Sequence, residues 1–203
     1  VTVFSGVFEH LNKIEMIQYF KSLSVLGLVV YGLHKEQVTF TQMIEEQHFY
    51  SVLVDVPIQN EKTSYVMVDH QKAQHELAAY MIDNQKHQVD NVLYLAGRRD
   101  GYVTDLRLQG VVDACFERNV KLNLMAIGSI NALKEMDIFR PVCGYDGIKL
   151  LGYVKYHIQT VKQDFFNIAK TAIQEFKRLI EEGAGKQVLL NYEITRIEYD
   201  DVI

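Results

Sequence analysis

Short, nearly uninterrupted apolar runs alternate along this chain with stretches whose apolar positions recur every three or four residues. The runs are Ser24–Tyr31, Tyr50–Asp55, Tyr65–Val68 and Asn91–Gly97. They are too short for core helices and rich in Val and Leu. Such runs predict strands buried on both faces, as in a parallel sheet. Between them, Asp69 can cap a helix with Ala73, Leu77 and Met81 at steps of four. Thr104 or Asp105 can cap a second, with Leu108, Val111, Val112, Cys115 and Phe116 on one stripe. A long stripe of Phe166, Ala169, Ala172, Ile173, Phe176, Leu179 and Ile180 predicts a third, and Gly183 stands where a C′ glycine ends a helix. Gln187–Tyr199 is β-prone. Strands alternating with helices predict an α/β fold with parallel sheets.

Two junctions interrupt this alternation. The helical stretch Val7–Ile14 runs straight into Glu15–Phe20 with no strand between, and Leu124 abuts Met125 with no turn signal. Ile138–Gly144 is a smaller abutment of the same kind. These junctions predict omitted segments after Ile14 and Leu124. The opening Val-Thr-Val likewise predicts a true start further upstream.

Composition narrows the function. The 203 residues carry a net charge of −5, with 48% hydrophobic and 23% charged residues. That balance belongs to a globular chain. The acidity argues against nucleic-acid binding by this segment, since neutralising phosphates takes an excess of Lys and Arg. Two distant cysteines make no disulfide scaffold and point to a reducing, cytoplasmic setting. No apolar stretch reaches the roughly 18 residues of a membrane span.

The chemical motifs are mostly negative. There is no Gly-x-Gly-x-x-Gly, no phosphate loop ending in Lys-Ser/Thr and no Gly-x-Ser-x-Gly elbow. His70 and His75 lie five apart, which does not align them as metal ligands, and both read as solvated surface residues. Cys115 and Cys143 read as small core hydrophobes. No catalytic residue, metal or cofactor is indicated, and the chain does not read as an enzyme.

Three segments carry the positive reading. Asp55 closes the run Val52-Leu53-Val54, and ligands in open α/β sheets sit beyond the carboxyl ends of strands. It is either an acceptor of two sugar hydroxyls or a solvated loop carboxylate. Arg107, in Thr104–Gly110, offers a planar fork of donors for vicinal hydroxyls or a carboxylate, or is a surface Arg. Gly110 permits close packing. Asp146 ends the short strand in Val142–Gly147, and a second strand then leads through Ile158–Phe165 into the last long helix.

Gly-Tyr-Asp-Gly at 144–147, Thr-Val-Lys-Gln-Asp-Phe at 160–165 and Ile-Ala-Lys-Thr-Ala at 168–172 resemble the C-terminal third of the lactose-repressor/galactose-repressor family of bacterial transcription regulators. Phe4–Val7, Leu26–Val30, Val68-Asp69, Val92–Gly97, Leu106–Gly110, Ala126–Gly128 and Ala132–Glu135 resemble other family segments in the same order.

The resemblance implies a periplasmic-binding-protein-like (type I) fold of two Rossmann-like lobes with parallel sheets. One lobe would take residues 1–68 plus 165–183 and the other 69–164 plus 184–203. The chain would cross near 65–69, 160–164 and 183–188. An effector-binding domain of this kind holds a sugar or sugar phosphate between its lobes. The matching positions here are Phe4, Asp55, Arg107, Asp146, Gln163 and Phe165, with Phe4 and Phe165 able to stack on a sugar ring. The resemblance also implies a homodimer that reaches operator DNA through an N-terminal helix-turn-helix head absent from this sequence. A repressor of a carbohydrate-utilisation operon is the implied function. The alternative is a sugar-binding protein serving a transporter, which shares the two-lobe fold.

Overall fold

The computed structural model describes residues 11–85, 88–95, 100–125, 143–145 and 158–197. In chain order the elements are α1 (Lys13–Ser22), β1 (Gly27–Tyr31), α2 (Val38–Glu45), β2 (Tyr50–Val54), β3 (Thr63–Val68), α3 (His70–Asp83), β4 (Asn91–Leu95), α4 (Tyr102–Glu117) and β5 (Lys121–Met125). They continue with β6 (Cys143–Tyr145), β7 (Ile158–Lys162), α5 (Phe165–Glu182), β8 (Gln187–Leu190) and β9 (Glu193–Ile197). The chain divides into two compact units, Val1–Met67 with Phe166–Leu189 and Val68–Phe165 with Leu190–Ile203.

In the first unit the strand order is β1-β2-β3-β8, with β1, β2 and β3 parallel. β2 is buried along nearly its whole length, as its unbroken apolar run requires. β1 departs from that expectation. It is an edge strand of the described sheet, and Val29 and Tyr31 are 42% and 74% exposed. Its other face supplies Leu28 to a core with Met16, Phe20, Met43 and Phe49.

Helix α1 also corrects the reading of this region. Asn12 Oδ1 accepts from the Glu15 N–H at 3.0 Å, and Glu15 Oε2 accepts from the Asn12 N–H at 2.9 Å. This reciprocal cap starts the helix at Lys13. Ile14 and Glu15 are therefore consecutive residues of one turn, and the junction expected between them is absent. The connection from β2 to β3 holds no helix, although parallel neighbours usually need a long crossover. It closes instead on reciprocal Asn60–Thr63 backbone bonds of 3.1 and 3.2 Å.

α5 covers this sheet with a face that overlaps its predicted apolar stripe at Ala172 and Leu179 but is rotated from it. Ile168, Ala172, Glu175 and Leu179 are buried, while Phe166 is 79% exposed. The buried carboxylate of Glu175 explains the shift. It accepts from Ser64 Oγ at 2.7 Å and from Arg178 Nη2 at 2.6 Å, and pairs with Lys186 Nζ at 3.2 Å. The helix ends as predicted: Gly183 adopts φ 68° and its N–H donates to the Leu179 carbonyl at 2.9 Å. β8 then joins the first sheet and β9 pairs antiparallel with β7, so the stretch from Gln187 onward serves two sheets.

In the second unit β4 and β5 pair in parallel, with Tyr94 opposite Leu124 and Leu95 opposite Met125. The Leu124–Met125 junction thus lies inside a strand, where no turn or cap belongs. β6 and β7 are parallel. Asp69 caps α3 as predicted, accepting from the Lys72 N–H at 3.0 Å. α4 begins earlier than either predicted cap, on Gly101. Thr104 and Asp105 lie in its first turn, where a carboxylate favours the positive end of the helix. Its buried residues are Gly110, Val111, Ala114 and Cys115, whereas Phe116 is 85% exposed. Among the described residues no helix is long and apolar enough to cross a membrane.

Candidate functional site

The best-defined polar cluster lies in the second unit and gathers three elements around Arg107. The residue stands in the second turn of α4. Its guanidinium carbon lies 3.9 Å from the centre of the Tyr145 ring, at the end of β6. Its Nε–H donates to His70 Nδ1 at 3.4 Å. Tyr145 Oη lies 2.9 Å from the same nitrogen, and the two rings are tilted by 34° at 5.6 Å. His70 opens α3 and is fully buried. An Arg N–H can only donate, so Nδ1 accepts and carries no proton.

The surroundings fit a fixed, half-buried cation. Burial raises the Tyr94 phenol above its ordinary pKa, while the charge of Arg107 pulls the other way. Burial pushes the Cys143 thiol up to about 11. A neutral thiol is a poor nucleophile and a weak metal ligand. Among the described residues no cluster of His, Cys, Asp and Glu could hold a metal ion.

The remaining predicted site residues are distributed as follows. Gln163 and Phe165 follow β7 in the second unit. Gln163 is buried and Phe165 is 47% exposed. β7 also supplies Val161, whose register partner is Tyr145, so the Gln163 segment leaves the strand beside β6. Asp55 lies in the first unit, at the carboxyl end of β2, with φ 60°. Its N–H donates to the Val66 carbonyl at 3.1 Å. Phe4 and Asp146 lie outside the described residues.

His70 is the residue that sequence reasoning placed wrongly, since it is interior and not solvated. The available signal was its position directly after a capping Asp at the end of an apolar strand, where the first helical residue can turn inward. His75 is a partly exposed residue that meets Glu117 Oε2 at 2.9 Å. Tyr145 stood in the Gly-Tyr-Asp-Gly segment with no role assigned.

No family model matches the chain, and no curated protein does. Solved structures do. A complex of the transcriptional regulator CelR with cellobiose is similar with a TM-score of 0.74 at 15% identity, over 91% of this chain and 69% of that one. The Cra transcriptional dual regulator from Pseudomonas putida, in complex with fructose 1-phosphate, is similar with a TM-score of 0.65 at 15% identity, over 90% and 82%. A periplasmic binding protein/LacI transcriptional regulator from Alkaliphilus metalliredigens QYMF, complexed with D-xylulofuranose, gives 0.66 at 14%, over 92% and 82%. The chain therefore has the α/β, periplasmic-binding-protein-like (type I) fold found in LacI-type transcriptional regulators.

Proposed function

We propose that this chain is the effector-binding part of a ligand-responsive transcriptional regulator, a repressor of a carbohydrate-utilisation operon. Its effector is a sugar or sugar phosphate. The observation that carries this reading is the ordered Arg107 of the second unit, in a fold whose solved examples include complexes with cellobiose, fructose 1-phosphate and D-xylulofuranose. A planar guanidinium donates two parallel hydrogen bonds to vicinal hydroxyls or to a phosphate. Asp55 and Asp146 accept from hydroxyls, Gln163 both donates and accepts, and Phe4 and Phe165 pack on the apolar face of the ring. Residues 1–68 with 165–183 form one lobe in this reading and 69–164 with 184–203 the other.

The effector acts by binding one conformation more tightly than another, and the ratio of the two affinities sets the size of the shift. The protein works in the cytoplasm as a homodimer, which suits a palindromic operator read through a helix-turn-helix head. A thermal-shift screen with cellobiose, fructose 1-phosphate and D-xylulose tests the proposal. At least one sugar raises the melting temperature of the parent, and Arg107→Ala and Asp146→Ala abolish the response. An equal response in both variants overturns the site. No response to any sugar counts against the effector class.

A further inference from the structure

We infer that Tyr145 and His70 are positioning residues that fix the plane and rotamer of Arg107 before an effector arrives, an inference that builds on the effector reading above. The observation is the convergence of three elements on one guanidinium. The Tyr145 ring on β6 lies against its face at 3.9 Å, and His70 on α3 accepts from its Nε edge at 3.4 Å. The third bond of the triangle, Tyr145 Oη to His70 Nδ1 at 2.9 Å, locks the two holders to each other. His70 is fully buried and belongs to a helix anchored by its own cap, so its ring has little room to turn.

An exposed Arg loses much rotamer entropy when it grips a ligand. An Arg held on two sides has already lost it on folding, and binding is tighter by that amount. Face and Nε edge are the two contacts that define a guanidinium plane. Together they leave the direction of the terminal amino groups set by the protein and not by the ligand. Tyr145 therefore acts through its ring and its hydroxyl separately: the ring holds the face, and the hydroxyl holds His70.

Two measurements on the 203-residue chain test this. The first needs no ligand. In proton–nitrogen spectra of the arginine side chains, the Arg107 Nε–H is expected to be slow to exchange and shifted by the Tyr145 ring current. Tyr145→Leu loses the shift. Tyr145→Phe keeps it, because the ring remains, and His70→Ala speeds the exchange. An Arg107 Nε–H that exchanges in the parent as it does in a short peptide overturns the inference.

The second measurement is isothermal titration with cellobiose and with fructose 1-phosphate. For a sugar that binds the parent, Tyr145→Leu weakens binding about tenfold, the size expected of a desolvated cation–π contact. Tyr145→Phe recovers most of the loss, with circular dichroism confirming that each variant is folded. Parent-like affinity in folded Tyr145→Leu, where Arg107→Ala has none, overturns the positioning role. If the parent binds neither sugar, the effector reading loses its support. The spectra then decide whether Arg107 is held.

Discussion

Asp55 holds a left-handed backbone, φ 60°, at the carboxyl end of a buried parallel strand. Most side chains resist that conformation by roughly 1–2 kcal/mol, while Asp and Asn tolerate it. The carboxyl end of a parallel strand is where ligands sit in open α/β sheets. The backbone role of Asp55 and its proposed ligand role can be separated. Asp55→Asn keeps the stability of the parent in urea unfolding but loses the sugar response. Asp55→Val loses about 1–2 kcal/mol of stability. A stable Asp55→Asn protein with an unchanged response removes Asp55 from the site.

Glu175 is the other residue whose position outweighs its type. Burial works against its charge, but hydrogen bonds from Arg178, Ser64 and Lys186 together outweigh burial and hold its pKa below 4.5. A carboxylate depressed in the folded state contributes stability that is complete above its unfolded pKa. That contribution drains away as pH falls through the folded value. Glu175→Gln is therefore expected to cost about 1–3 kcal/mol at neutral pH. The difference from the parent narrows below pH 4.5, as denaturant midpoints measured across pH will show. A difference that stays constant down to pH 3 contradicts the paired carboxylate.

At the scale of elements, the crossing of α3 and α4 positions Arg107 relative to His70. Gly110 allows the two helices to touch backbone to backbone. A Cβ at Gly110 would lie 2.2 Å from the Gln71 carbonyl oxygen and 2.8 Å from the His75 nitrogen. Neither neighbour is a flexible side-chain end, so the helices must separate. Gly110→Ala is expected to destabilise by about 1–3 kcal/mol, as overpacking does. It also shifts α4 away from α3, so under the proposed function it weakens sugar binding. Unchanged stability in this variant would mean that the crossing is looser than the structure shows.

The elements also show how far local pattern reaches. The ends of α3 and α5 were legible at Asp69 and Gly183, because a cap is settled within one helical turn. The buried faces of α4 and α5 were legible only in part, through Val111, Cys115, Ala172 and Leu179. Apolar spacing selected Phe116 and Phe166, which are solvent-facing, and missed Glu175, which is interior. A carboxylate 111 residues beyond the serine it accepts from cannot be recognised as core by its neighbours in sequence.

At the scale of the whole molecule, the proposed effector would be a thermodynamic ligand of the folded state alone. Its effect on stability therefore grows with the logarithm of concentration. A sugar at one hundred times its dissociation constant adds about 2.7 kcal/mol. The thermal-shift response should thus keep rising with sugar after the site is nearly full, with no plateau. A response that saturates at high sugar means that the unfolded chain binds the sugar as well. The net charge of −5 belongs to this reading as well. Under the proposed function, a segment with an excess of acidic residues leaves contact with an operator to a separate head.

The strands β1 to β4, the helices α3, α4 and α5, two helix ends and the candidate Arg107 were legible in the sequence itself. Each is written in a few adjacent residues whose backbone preferences and apolar spacing act locally. Tertiary structure alone decided that β1 lies at an edge of its sheet, that the stretches at Ile14 and Leu124 are unbroken elements, and that His70 is interior. It also decided that Tyr145, 38 residues beyond Arg107, supplies the ring beneath its guanidinium. Burial and hydrogen-bond partnership are set by what packs from distant parts of the chain. A single helical turn or strand carries no record of that choice.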